Sequence, residues 1–216
     1  MFSFTMSRHS QRMTFAAAIA ASIALATPAH ALFEIDLDPG GTKFFISNAN
    51  KDVSTFSGFV GGQHSGFPVT VDTTGAVDTG AGFATIKPVK HGSLTELLFT
   101  PQDPNQFGDF SFRGQLLAAG NIDVTVQDNQ GDPAQTFVFA ITKANADFAR
   151  IGIEAVAGSG ETIKSVDITS AGFKEFKQVE FSNAIPELST WAMMIIGFGG
   201  VGLQIRRRQA SVSLTA

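Results

Sequence analysis

Short apolar and polar alternations, each closed by turn residues, recur along the middle of this chain and set its fold class. In NIDVTVQ, residues 121–127, Ile122, Val124 and Val126 fall on one side of an extended strand. In TFVFAIT, residues 136–142, Phe137, Phe139 and Ile141 do the same. QDNQGDPA, which joins the two runs, supplies Asn, Gly, Asp and Pro for a loop, so the pair predicts a hairpin. RIGIEAV, SVDITS and KQVEFS repeat the pattern, with Ile151 and Ile153, Val166 and Ile168, and Val179 and Phe181 pointing inward and AGSGE as the intervening turn. Upstream, KFFIS, GFPVTVD, GFATIKPV, TELLFT and DFSFRGQL read as shorter strands. About eight to ten strands at this spacing predict an all-β fold, an antiparallel two-sheet sandwich of jelly-roll-like form.

Length and composition fit one such domain with targeting segments at both ends. A chain of 216 residues, 44% hydrophobic and 16% charged, is too apolar for disorder and long enough to bury a core without staples. It has no cysteine, which removes disulfides, thiolate metal sites and cysteine nucleophiles together. Residues 32–184 hold 10 Lys and Arg against 18 Asp and Glu, a balance of −8 that opposes nucleic acid or anionic headgroups as a partner. Basic residues gather instead at the ends.

The amino end carries Arg8 and Arg12, then the apolar run FAAAIAASIALATP, then AHA closing at Ala31. A basic start, an apolar run and small residues at Ala29 and Ala31 describe a secretory signal peptide, residues 1–31, which forms a signal helix and is cut by signal peptidase. The carboxyl end reads WAMMIIGFGGVGLQIRRR, and its GFGGVG fits the glycine spacing of a dinucleotide loop. That reading fails on available chain. Only 14 residues follow Gly202 and none is acidic, so the second strand and the ribose-binding carboxylate have nowhere to be. Trp191 to Ile205 is better read as the apolar part of a transmembrane helix, about 22 Å long, or 21 residues if counted from Ile185. Arg206, Arg207 and Arg208 would hold its end, and a short tail of residues 209–216, on the cytoplasmic side, with residues 32–183 outside. Gly197, Gly199, Gly200 and Gly202 strip bulk from one face, where another membrane helix can approach closely.

IPELSTWAMMIIGFGGVGLQIRRR, within residues 184–208, resembles the C-terminal sorting signal called PEP-CTERM. That pattern is a Pro-Glu-Pro triplet, a polar spacer, an apolar helix beginning Trp-Ala-Met-Met, and a terminal arginine cluster. Pro186 and Glu187 match the first two triplet positions, and Leu188 stands where the third is proline. The resemblance implies a Gram-negative source and recognition by an exosortase, a membrane-embedded protease or transpeptidase, with cleavage near the triplet. It also implies the company of exopolysaccharide synthesis and a destination in the envelope, on the outer surface or in the matrix, after an inner-membrane intermediate held in lipid. A plain anchor that is never cut stays open beside it.

The expected function is therefore that of an exported, non-catalytic envelope or matrix protein, structural or exopolysaccharide-associated. A glycan-binding module, calcium-dependent or not, and an extracellular glycoside hydrolase are the alternatives. No Tyr occurs, and Trp191, the sole Trp, lies in the tail, which counts against sugar binding by aromatic stacking. Most of the 21 phenylalanines alternate beside Ile or Val and read as core. His64 and His91 sit in turn-like contexts with no partner pattern, and no nucleophile elbow or zinc pair is present. Acidic residues carry what chemistry remains. Glu34, Asp36 and Asp38 alternate, Asp103 and Asp109 flank one loop, and Asp128, Asn129 and Asp132 crowd the hairpin loop as candidate calcium ligands without EF-hand spacing. Carboxylate pairs for hydrolysis cannot be assigned from spacing alone.

Overall fold

The computed structural model describes residues 32–90 and 92–183. The expected signal peptide with Ala29 and Ala31, the expected sorting signal and transmembrane helix, the expected cytoplasmic tail, and His91 all fall outside the described residues. Among the described residues there is no helix long and apolar enough to cross a membrane.

Among the described residues thirteen strands follow one another: β1 (Phe33–Asp36), β2 (Thr42–Ile46), β3 (Asn50–Gly62), β4 (Ser65–Gly80), β5 (Gly82–Phe83), β6 (Thr85–Pro88), β7 (Glu96–Pro101), β8 (Phe107–Leu116), β9 (Gly120–Asp128), β10 (Gln135–Ile141), β11 (Ile151–Ala155), β12 (Ile163–Ser170) and β13 (Phe173–Asn183). All pairings are antiparallel, in the order β1-β11-β8-β13-β2-β3-β4-β7-β12-β9-β10, with β5 beside β2 and β6 bridging β13 and β4. Hydrogen bonding is thus continuous. The sheet nevertheless folds over itself, because Phe99 of β7 lies 5.3 Å from Phe110 of β8 and 5.7 Å from Phe176 of β13, strands well separated along the pairing order. Two halves facing across a shared interior give the sandwich-like form expected. The predicted β9–β10 hairpin is present, Phe137 opposite Val124 and Phe139 opposite Ile122.

The strand count exceeds expectation through β1, β3 and the division of GFATIKPV into β5 and β6, and β3 and β4 are longer than expected, at 13 and 16 residues. Their alternation is carried by Ser, Thr, Asp and Gly on the outer face, so an apolar-run reading catches only the stretch around Val69 and Val71. They turn back at Gln63 and His64, and the left-handed φ of 116° at Gly61 and 119° at Gly66 tightens that tip. A β-carbon on Gly66 would run into the Val60 carbonyl.

Alternation becomes core by the period of the strand. In β9 the inward positions are Ile122, Val124 and Val126, all essentially without exposure, and in β12 they include Val166 and Ile168. The interior is held largely by phenylalanine: Phe112 stacks on Phe176 at 4.7 Å, and Phe181 meets Phe107 at 4.8 Å and Phe110 at 5.0 Å. Each such pair adds about 0.5–1.5 kcal/mol beyond the area it buries. Partway along β13 the register against β8 slips between Lys177 and Glu180, and Gln178 takes a left-handed φ of 54°. This bulge lets one strand serve two neighbours, β6 at Phe176 and β2 at Phe181.

Candidate metal centre and acidic cleft

Strand order, not sequence proximity, assembles the acidic features. Register places Glu34 of β1 opposite Glu154 of β11, and Glu154 opposite Asp109 of β8. Three carboxylate-bearing residues therefore stand abreast on adjacent strands, whose backbones lie about 5 Å apart from one to the next. Glu34, Gly108, Asp109, Glu154 and Ala155 line a cleft of about 100 Å³ together with residues 156–161 of the β11–β12 loop, and no cationic side chain lines it. Burial pushes the Asp109 carboxyl above its ordinary value and the Asp36 charge adds to this, against opposing hydrogen bonds from Ser182 and the Ala155 backbone. Glu154 is raised too, first by burial and then by the charges of Asp36, Asp109 and Glu34.

Of the sequence candidates, Glu34 and Asp36 do share β1, while Asp38 lies past its end and gives its N–H to Asp36 Oδ1 at 2.9 Å. Asp103 is taken up by its own turn, accepting from the Asn105 N–H at 3.0 Å. Asp103 and Asp109 thus have separate roles. His64 is exposed at the β3–β4 turn.

At the neighbouring end of the sandwich a second group converges. Asp128, Asp132 and Glu161 each bring a carboxylate oxygen within 4.8 Å of the others. Asp128 is the position after Ile122, Val124 and Val126 on the inward side of β9, and it is only 2% exposed. Its oxygens accept the N–H groups of Gly131 at 2.8 Å and Asp132 at 3.1 Å, which curls the β9–β10 loop around it. Asn129 lies next to this group, but its side-chain amide donates to Asn105 Oδ1 at 2.8 Å and its backbone N–H to the Thr162 carbonyl at 3.1 Å. The third carboxylate comes from Glu161, 8% exposed, whose Oε2 is buried with no hydrogen-bond partner. Burial raises the Glu161 carboxyl, and the charges of Asp128 and Asp132 push it the same way.

Sequence reading named Asp128 and Asp132 but missed Glu161, which it absorbed into a turn. The one signal in the sequence was parity, since an aspartate on the inward face of β9 needs a partner; which partner is set by the β9–β12 pairing, with Asp128 opposite Ile163, two residues from Glu161. Three oxygen-only donors suit a hard cation, Ca²⁺ above all, and offer nothing to metals that prefer nitrogen or sulfur.

No protein-family model matches the sequence, and no curated protein matches it. Among solved structures the chain is similar to the Family 11 Carbohydrate-Binding Module from Clostridium thermocellum in complex with beta-1,3-1,4-mixed-linked tetrasaccharide. That likeness has 14% identity, covers 68% of this chain and 99% of the other, and has a TM-score of 0.31. A likeness of that size says nothing about ligand.

Proposed function

We propose that the chain is an exported, non-catalytic protein of the cell envelope or extracellular matrix, delivered across the membrane by its signal peptide and sorted by an exosortase through its tail. The observation that carries this reading is the run from Pro186 and Glu187 through the apolar stretch at Trp191 to Arg206, Arg207 and Arg208. Each part has a task. The apolar helix keeps the substrate in lipid beside the enzyme, the arginines stop its transfer, and the segment at Pro186 presents an extended peptide bond. What supports the reading in the described domain is a phenylalanine-filled sandwich that needs neither metal nor disulfide for its core. In exosortase-competent cells, intact-mass spectrometry should find a product that has lost Trp191 and all beyond it. Only full tails in those cells would overturn the sorting route and leave the uncut anchor.

A second reading, glycan binding, rests on the cleft, where small residues of the β11–β12 loop leave room above the carboxylates Glu34, Glu154 and Asp109. Carboxylates there would accept from sugar hydroxyls, and a raised Glu154 or Asp109 within a row of carboxyl groups is also an arrangement that hydrolysis of a glycosidic bond can use. A glycan array probed with the mature protein, with calcium and with chelator, separates binding from a purely structural role. Release of new reducing ends from any bound glycan would bring in the hydrolase, and Asp109→Asn should then abolish release before it abolishes binding.

A further inference from the structure

We propose that Asp128, Asp132 and Glu161 form a calcium site that fastens the β9–β10 loop to the β11–β12 loop and so holds one wall of the acidic cleft. The site stands whether or not the sorting route is right, because it rests only on the sandwich.

Convergence is the first ground. A calcium ion bonds oxygen at about 2.3–2.6 Å, so ligands on opposite sides of one ion are at most about 5 Å apart. Three carboxylate oxygens within 4.8 Å of one another fit around a single ion of that size. They come from the end of β9 with its following loop and from the β11–β12 loop, where the β9–β12 pairing ends at Asp128 and Ile163, so the ion would carry that tie beyond the end of the sheet.

The second ground is independent of proximity. Glu161 is more than nine-tenths buried and its Oε2 has neither a donor nor solvent, while the adjacent Thr162 Oγ1 is buried without a partner as well. An ionised carboxylate in that condition is costly unless something positive meets it. None of the ion pairs among the described residues, Lys87 with Glu175, Arg150 with Glu180 and Lys177 with Asp147, involves any of the three. A divalent ion answers the charge and the orphaned oxygen at once. Calcium is favoured over magnesium because it accepts six to eight oxygens in irregular geometry, including loop carbonyls, whereas magnesium needs a near-ideal octahedron at about 2.0–2.1 Å.

The consequence reaches the cleft. Residues 155–161 line it, and Glu161 is where that loop would be anchored. Pulling Glu161 onto the ion fixes the end of the wall over Asp109 and Glu154.

Calorimetric titration of the mature protein with CaCl₂ should show one site with a Kd of about 10⁻⁴ M, the range of extracellular modules. At 5 mM calcium and matched ionic strength the melting temperature should rise by about 5 °C or more over the chelated protein. Hydrogen exchange should slow in residues 129–134 and 156–161 together. Glu161→Gln should remove the calcium response without lowering the melting temperature in chelator, since Gln keeps the shape and deletes the buried charge. Asp132→Asn, at an exposed position that folding does not need, should weaken binding about tenfold or more, and Asp123→Asn should leave it unchanged. The proposal is overturned if wild type shows no calcium response at 5 mM. It is equally overturned if Glu161→Gln and Asp132→Asn both respond like wild type, or if magnesium serves as well as calcium.

Discussion

On the outer face of β8, Ser111 and Asp109 are neighbours of the same parity with different company. Ser111 faces Glu180 across β8 and β13, and there Arg150 supplies the answering charge: its guanidinium lies 2.8 Å from Glu180 Oε2 and donates to Ser111 Oγ at 3.0 Å and to the Gln178 carbonyl at 3.3 Å. Asp109 faces Ser182 on one side and Glu154 on the other, with Glu34 beyond, and no cation joins them. The paired stretch does structural work, because the same arginine that neutralises Glu180 also holds the carbonyl of the Gln178 bulge. The unpaired stretch has no answering charge, and the hydrogen bonds from Ser182 and the Ala155 backbone to Asp109 only partly offset its burial and repulsion. Carboxylates kept at a cost in stability are the ones available to a ligand.

If the paired stretch is structural, breaking it should produce the largest effect. Arg150 and Glu180 side chains are 15% and 12% exposed, so Arg150→Ala leaves a mostly buried carboxylate alone and frees the bulge carbonyl. The expected loss is about 3 kcal/mol in denaturant unfolding. Arg150→Lys should recover part of it, since one ammonium cannot reach Glu180, Ser111 and Gln178 together. A loss below about 1 kcal/mol would show that the bulge holds itself and would erase the contrast with Asp109.

Between the two stretches runs the strap from β1 to β2, residues 37–41, and it sharpens the comparison. Pro39 sits on Gly152 of β11, Gly40 accepts from Ser182 Oγ at 3.1 Å, and a β-carbon added at Gly152 would overlap the Pro39 ring. Gly152→Ala should therefore lift the strap and cost about 1–3 kcal/mol. If it also changes the titration of Asp109 or Glu154, followed by carboxyl NMR, the strap governs the cleft. Loss of stability with unmoved titrations would mean that the two stretches are independent.

What the sequence made legible follows from which interactions are local. Strand faces such as Ile122, Val124 and Val126 were readable because period two is a property of one strand. So was the loop at Asp128 and Asp132, four residues apart. The row of Glu34, Glu154 and Asp109 was not, because β1, β11 and β8 become neighbours only through pairing between segments far apart in the chain. Glu161 was hidden for a related reason: in AGSGE it reads as a solvated turn residue, and only the β9–β12 pairing turns it inward. β3 and β4 escaped in part because a strand with Thr, Ser and Asp on one side and Gly among its inner residues lacks an apolar run. The proposed sorting signal rests on a contiguous pattern at residues 184–208, outside the described residues.

The smallest effect tests that cost itself. Glu154→Gln removes one charge from the row, relieving its contacts with Glu34 and Asp109 and its field from Asp36, and Glu161 at the far end of the cleft loop is the remaining acid along that wall. Like charges directly opposite on paired strands cost about 0.2–1 kcal/mol, so at pH 7 the variant should be more stable by about 0.5 kcal/mol, a gain reduced by salt. The sign over pH follows from the raised Glu154 carboxyl. The native protein binds that proton more tightly than the unfolded chain, so its stabilising contribution is whole below the ordinary carboxylate value near 4.5 and is lost as pH rises through the higher native one. Wild type and Glu154→Gln should thus have nearly equal stability at about pH 4 and diverge toward neutrality in favour of the variant. Chemical unfolding at several pH values reads this directly. A variant that is less stable than wild type at pH 7 would mean that Glu154 has a favourable partner in solution, and the row would then be structural like its neighbour at Glu180.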